Sequence, residues 1–349
     1  MSSGPITVTG PLPSIGAFAE SASGSSGTSF RVTALGGGHG LKSTLRALRV
    51  IAAEHLTAIC TVADDGGSSG RLREEMDVLP PGDLRMALTA LCDDNEWGRT
   101  WASVMQHRLR SKDGQGGLDN HAVGNLLIVA LWELLGDSVD GLRWAGALLG
   151  ARGQVLPMSR TPLTMSGLVR TGSCDDGELV RMDSQAELAK AGRLGRLTDL
   201  RLHPQEAEAC KEAVTAIELA DWVVFGPGSW YTSVLPHFML PELRSALAET
   251  EARRCVVMNL LSETDETIGM TPADHLDVLH DYAPEVHIDS VIADPRCIAE
   301  AERPGLEQAA SRLGAQVTYA KVRRGDEPEV HDILRLAIAL NEVFHEARD

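Results

Sequence analysis

The sequence predicts an α/β fold with a Rossmann-like, doubly wound and mostly parallel sheet, carrying a small β-rich insertion, and three observations predict it. Short β-prone runs alternate with helix-prone stretches along most of the 349 residues, the pattern of strands joined by crossover helices. Four Gly-rich or polar loops fall where such strands end, at Gly36–Gly40, Asp64–Gly70, Gly226–Ser233 and Asn259–Thr271. The alternation is broken once, over 151–202, by short β-prone runs separated by Gly, Asp and Ser, which reads as antiparallel hairpins.

In chain order, residues 1–28 are rich in Gly, Ser and Pro. They hold too little apolar surface to offset the entropy of ordering, so a disordered tail is expected there, ahead of a single folded unit over 29–349. The first strand is expected over Phe30–Leu35, followed by three glycines and a helix over Leu41–Ala53. A second strand covers Leu56–Ala63, and a charged helix Arg71–Asp77. Pro80–Asp83 reads as a loop and N-cap for a helix over Leu84–Leu91. Helices follow over Trp97–Leu109, Ala122–Leu135 (apolar enough to be central and buried) and Val139–Gly150.

The β-prone runs of the insertion are Val155–Met158, Leu163–Thr171, Glu178–Met182 and Leu194–Leu202. Alternation resumes with a helix over Pro204–Leu219, a strand Trp222–Phe225 and a helix around His237–Ala248. Then come strand Cys255–Asn259, helix Pro272–His280, strand Val286–Ala293, helix Gly305–Gly314 and strand Gln316–Tyr319. A closing helix over Val330–Glu346 places Ile333, Leu334, Ala337, Leu340 and Val343 on its apolar side.

Composition narrows the function. A net charge of −17 disfavours broad contact with nucleic acid. No apolar run is long enough to span a bilayer, and the first residues lack the basic and apolar regions of a signal peptide. The six cysteines, Cys60, Cys92, Cys174, Cys210, Cys255 and Cys297, show no CxxC spacing, which reads as reduced thiols in a cytoplasmic protein. No HExxH pattern and no Ser-His-Asp order supports zinc or triad chemistry.

Gly36, Gly37, Gly38 and Gly40 can close backbone N–H groups around a phosphate at the start of a helix, although the pattern is neither GxGxxG nor a P-loop. The bland alternative is a tight turn with no ligand. Asp64 and Asp65, adjacent at a strand end, suit a hard cation such as Mg²⁺ bridging to phosphate, or else a solvated turn. Gly226, Pro227, Gly228 and Ser229 can approach a diphosphate, with Thr232 and Ser233 extending the polar edge; alternatively Ser229 caps the next helix. His121 and Asn125 share a helix face, with Asn120 as the candidate cap.

The segments ALGGGHGL, TVADDGGSSGRLREE, PPGDLRMALTALC, HAVGNLLIVAL, GPGSWYTSVLP and TPADHL together resemble the YvcK-like gluconeogenesis factors, sequence relatives of the 2-phospho-lactate transferase CofD. The resemblance runs from about Phe30 to near the C-terminus. It implies a cytoplasmic UDP-sugar-binding regulator, chiefly of UDP-N-acetylglucosamine, linked to cell shape, cell-wall precursor supply and growth on gluconeogenic carbon sources. It implies no required cofactor, a protein partner in cell-wall metabolism and self-association. The transferase branch implies instead a Mg²⁺-dependent transfer with Asp64 and Asp65 at the reacting group.

Carried over, the resemblance puts Gly36–Gly40 in the first nucleotide loop, Asn125 in the pocket lining and Gly226–Ser229 at the phosphates. It puts Arg324 on the UDP-sugar. Two positions depart from the family pattern. His39 stands where many members have Thr, and Met270 where some have a ligand-contacting Tyr.

Overall fold

The computed structural model of the chain describes residues 30–52, 55–171, 177–261, 264–325, 327 and 329–346. The expected tail over 1–28, Cys174 and Asp326 lie outside the described residues. The elements run β1 (Val32–Gly36), α1 (Gly38–Ala52), β2 (Leu56–Cys60), α2 (Gly67–Met76), α3 (Pro81–Leu91), α4 (Glu96–Gln106), α5 (Val123–Leu135) and α6 (Ser138–Leu149). Next come β3 (Gln154–Pro157), β4 (Thr164–Thr171), β5 (Leu179–Met182), α7 (Gln185–Leu188), β6 (Gly195–His203), α8 (Lys211–Glu218) and β7 (Trp222–Phe225). The chain continues through α9 (Pro236–Met239), α10 (Pro241–Glu249), β8 (Arg253–Val257), α11 (Pro272–Tyr282), β9 (Ser290–Ala293), α12 (Arg303–Arg312), β10 (Gln316–Tyr319) and α13 (Ile333–Glu346).

Seven strands form one parallel sheet in the order β10-β9-β8-β7-β1-β2-β3, flanked by helices. Strand order therefore reverses at β1, which pairs with β2 on one side and β7 on the other. Crevices at such reversals, beyond the carboxyl ends of the strands, are where open α/β sheets take ligands. β1 is buried along its whole length, as expected for a central parallel strand read as a continuous apolar run. β4, β5 and β6 form a separate antiparallel sheet in the order β5-β4-β6.

Several expectations are corrected. Val155–Met158 belongs to the main sheet, where β3 pairs parallel with β2, so the insertion begins after it. Its short length and flanking Gly and Ser mimic a hairpin strand. α2 starts at Gly67, inside the glycines, and α3 starts at Pro81, because proline suits the first helical turn. Asp83 is thus inside α3, not its cap. The helix expected over Pro204–Leu219 forms only from Lys211, and the one around His237 is divided by Pro241 into α9 and α10.

α5 is not central. Only one side of it is buried, and Leu134 is 51% exposed. On α13, Leu334 is 64% exposed while Leu336 and Phe344 join the core. Asn120 adopts a left-handed conformation (φ 60°) ahead of α5, whose cap is Ala122. No helix among the described residues is long and apolar enough to cross a membrane.

Candidate functional site in the crevice between β1 and β7

The two Gly-rich loops meet at the strand-order reversal. A Cβ on Gly40 would fall on the carbonyl of Pro227, so the first turn of α1 and the loop after β7 touch backbone to backbone. Gly38 has φ +57° and Gly226 φ +69°, conformations that glycine adopts at little cost. The Thr44 hydroxyl donates to the carbonyl of Gly226 at 2.7 Å, tying α1 to that loop. Asn259, just past β8, fixes the loop from its other side. Its Oδ1 accepts from the Gly228 N–H at 2.8 Å, and its Nδ2 donates to the Gly228 carbonyl at 2.9 Å. His39 and Ser229 are exposed at this mouth, and the Ser229 side chain caps nothing.

Two carboxyl groups face this junction from the side of β2. Asp83 reaches Gly37 so closely that a Cβ there would overlap its Oδ2, and the Gly38 N–H donates to it. Burial first, and then the neighbouring Asp64, pushes Asp83 up to about 7. Asp64 accepts from the Gly66 N–H at 3.0 Å and is likewise raised, chiefly by burial. Asp65 points the other way. Its carboxylate accepts from the backbone N–H groups of Gln185 (2.8 Å) and Ala186 (3.1 Å), at the start of α7 in the insertion. The adjacent acids thus separate, and Asp64 is grouped with Asp83 instead of Asp65. A pair of carboxylates is a donor set that suits Mg²⁺, which takes one or two carboxylates and keeps several of its waters. Among the described residues, no group of three or more His, Cys, Asp or Glu side chains is placed to hold a metal.

Behind the carboxyl pair lies a buried polar network. The Ser68 hydroxyl is shared by His121 Nδ1 (3.1 Å) and Asn125 Nδ2 (3.0 Å). His121 precedes the first turn of α5, so the two meet at Ser68 without sharing a helix face. Asn125 Oδ1 accepts from Arg85 Nε at 2.8 Å. Asn125 is therefore spent on Ser68 and Arg85, inside the wall of the crevice.

On the opposite side, the turn after Ser229 receives a carboxylate of the protein itself. Glu266, 4% exposed, accepts from the Tyr231 N–H at 3.3 Å and the Thr232 hydroxyl at 3.1 Å. Burial pushes it up to about 7 against these stabilising bonds. Met270 is buried beneath Tyr231, whose hydroxyl lies 3.6 Å from its sulfur. The insertion touches this loop as well, through the Arg193–Asp265 pair (2.6 and 3.1 Å).

Arg324 stands apart. It follows β10, three strands from β7, which at ~4.8 Å per strand is about 14 Å along the sheet edge. Its side chain is 61% exposed, with only a loose pairing to Glu327 at 3.7 Å.

The family model for 2-phospho-L-lactate transferase CofD matches residues 32–326, from β1 through the loop after β10. The chain belongs to the CofD family. Within it, a Mycobacterium tuberculosis protein named "Putative gluconeogenesis factor" is 46% identical over 91% of each chain. A gluconeogenesis factor of Halalkalibacterium halodurans is 36% identical over 77% of this chain and 79% of its own. A crystal structure of a UPF0052-family protein from Bacillus halodurans superposes with a TM-score of 0.75 at 31% identity, covering 90% of this chain and all of that one. Fold and family agree with the resemblance carried by the motifs.

Asp83, Glu266, Asn259 and Arg85 were not singled out as site residues. Of these, Asn259 had a signal, as the polar residue opening a loop at a strand end. Asp83 and Arg85 lie in the segment PPGDLRMALTALC and Glu266 in the loop Asn259–Thr271, but the contacts that place them, with Gly37, Asn125 and Tyr231, span 35 or more residues of sequence.

Proposed function

We propose that this chain binds a UDP-sugar, UDP-N-acetylglucosamine foremost, in the crevice between β1 and β7. It would do so as a regulator of cell shape, cell-wall precursor supply and growth on gluconeogenic carbon sources. The observation that carries the reading is the backbone contact of Gly40 with Pro227, which brings both glycine loops and the N-terminus of α1 to one point at the strand-order reversal. A helix N-terminus at such a point suits a diphosphate. The edge running from β7 to β10 offers an extended ligand a path toward Arg324, whose guanidinium suits an oxyanion. A regulator acts through a protein partner, and its ligand is recovered unchanged.

The paired carboxyls of Asp64 and Asp83 favour a second reading, a Mg²⁺-dependent transferase on a nucleotide-activated substrate. There the metal would offset phosphate charge, while Asp64 and Asp83 would hold it and Gly37 and Gly38 would keep the loop close. Calorimetric titration with UDP-N-acetylglucosamine, with and without Mg²⁺, followed by chromatography of the recovered ligand, separates the two. Saturable binding with intact ligand supports the regulator, Mg²⁺-dependent conversion supports the transferase, and no binding removes the first reading.

A further inference from the structure

The row of strand ends that carries the crevice continues past β8, and its next member is a carboxylate. Asp294 directly follows β9, and its side chain is withdrawn from solvent. It takes four donors. Oδ1 accepts from the Arg296 N–H at 2.8 Å and from Arg296 Nε at 3.0 Å. Oδ2 accepts from Arg296 Nη2 at 2.7 Å and from the Arg323 N–H at 2.7 Å. Arg296 Nη2 also donates to the Arg323 carbonyl at 2.7 Å. An ion pair at one strand end thus holds Arg323, in the loop after the next strand, by both its N–H and its C=O. Burial alone would raise the Asp294 carboxyl, but the donors outweigh it and bring it down to about 2, so the clasp stays charged at neutral pH.

Arg324 comes next in the chain. Its own N–H donates to the Val330 carbonyl at 2.8 Å, and its carbonyl accepts from the Glu327 N–H at 2.9 Å. Its main chain is therefore fixed, while its exposed guanidinium pairs only loosely, at 3.7 Å, with Glu327 among the described residues. A free guanidinium on a fixed base has already lost the backbone entropy that capture of an oxyanion would otherwise cost. β10 is an edge strand with a sheet neighbour on one side only, and the side chains that clasp Arg323 come from that side.

We propose that Asp294 and Arg296 are positioning residues for Arg324, fixing the Arg323 peptide so that the Arg324 guanidinium is presented to an oxyanion of the ligand in the crevice. The ligand rests on the nucleotide-sugar reading above; the clasp does not. Neither positioning residue touches the ligand. Arg296 bonds the carboxylate and the Arg323 carbonyl at once through its planar fork, which a lysine cannot reproduce.

Two measurements on the full chain test this. Amide exchange at Arg323 reads the clasp with no ligand present, and Asp294→Ala and Arg296→Lys should each speed it by about tenfold or more, the loss of a charged hydrogen bond. Calorimetric titration with UDP-N-acetylglucosamine reads the consequence. Each variant should weaken binding by about tenfold, and neither should weaken it further once Arg324→Ala is also present, because both act through that residue. A general loosening of the fold would instead weaken binding by the same factor in both backgrounds. Should Asp294→Ala not fold, Arg296→Lys, whose side chain reaches solvent, carries both measurements. Unchanged exchange at Arg323 overturns the proposal whatever the ligand. So do additive losses in the double variants, parent affinity in Arg296→Lys, and parent affinity in Arg324→Ala, which would leave the clasp nothing to present. A parent that does not bind the nucleotide sugar removes that reading alone, and the exchange measurement then decides the clasp.

Discussion

Asn259 holds Gly228 by both of its peptide groups, donating to the carbonyl at 2.9 Å and accepting from the N–H at 2.8 Å. One side chain thereby fixes the orientation of the loop that faces α1. Asn259→Ala should remove both bonds and cost about 1–3 kcal/mol in denaturant unfolding. It should also weaken UDP-N-acetylglucosamine binding more than a stability loss alone explains. Wild-type affinity in the folded variant would show that the loop holds its shape without the clasp.

Gly40→Ala tests the contact between the loops. A methyl group there overlaps the Pro227 carbonyl, so the loops must part. Overpacking of this kind costs about 1–3 kcal/mol. Gly38→Ala, where a Cβ meets no atom but φ is +57°, should instead show only backbone strain. The two thermal melts distinguish crowding from conformation: a Gly40→Ala melt no lower than the parent's would contradict the tight contact.

Asp64 and Asp65 should differ in what they do. Asp65→Asn weakens a cap on α7, costing about 0.5–2 kcal/mol and speeding amide exchange over Gln185–Leu188. Asp64→Asn and Asp83→Asn should instead lower affinity for Mg²⁺ in the presence of nucleotide. Equal loss of Mg²⁺ affinity in Asp65→Asn would place that residue on the metal after all.

Stability should also depend on pH in a particular window. Glu266 and Asp83 are pushed up to about 7 in the folded chain from ordinary values of 4.5 and 3.8. Each holds its proton more tightly when folded than when unfolded. Raising the pH from about 4 to about 7 therefore removes stability, by at most about 3 kcal/mol for Glu266, and a further rise removes no more. Glu266→Gln, which can still accept from the Tyr231 N–H and donate to Thr232, should flatten this slope. Glu266→Ala, which leaves those donors unpaired, should destabilise at every pH. Urea midpoints from pH 4 to 8 provide the readout, and identical slopes for parent and Glu266→Gln would exclude Glu266 as a contributor.

The alternation of strands and helices was readable because buried parallel strands are written as short apolar runs, and Trp222–Phe225 and Gln316–Tyr319 match their expected bounds. Both glycine loops were readable for a local reason: a strand, a turn without side chains and a helix follow one another in sequence. What failed depended on partners far away. Val155–Met158 looks like part of the insertion until β2 is seen beside it. The apolar α5 looks central until one side is found at the surface. The pairing of Asp64 with Asp83 instead of Asp65 depends on Gly37 and Gly82, whose missing side chains make the room. Glu266 lies in a loop marked out by its place at a strand end, but nothing local shows that Tyr231 and Thr232 are its partners.

The position of β1 between β2 and β7 makes the crevice a seam between two stretches of polypeptide, joined in sequence through the insertion. Everything on one bank comes from before β4, and everything on the other from after β6. Expressed as two separate pieces divided between β4 and β5, the chain would own no complete ligand site in either piece. The proposed nucleotide site would exist only in the reassembled pair, which makes the fold a natural scaffold for a split reporter in which small-molecule binding signals that two fusion partners have met.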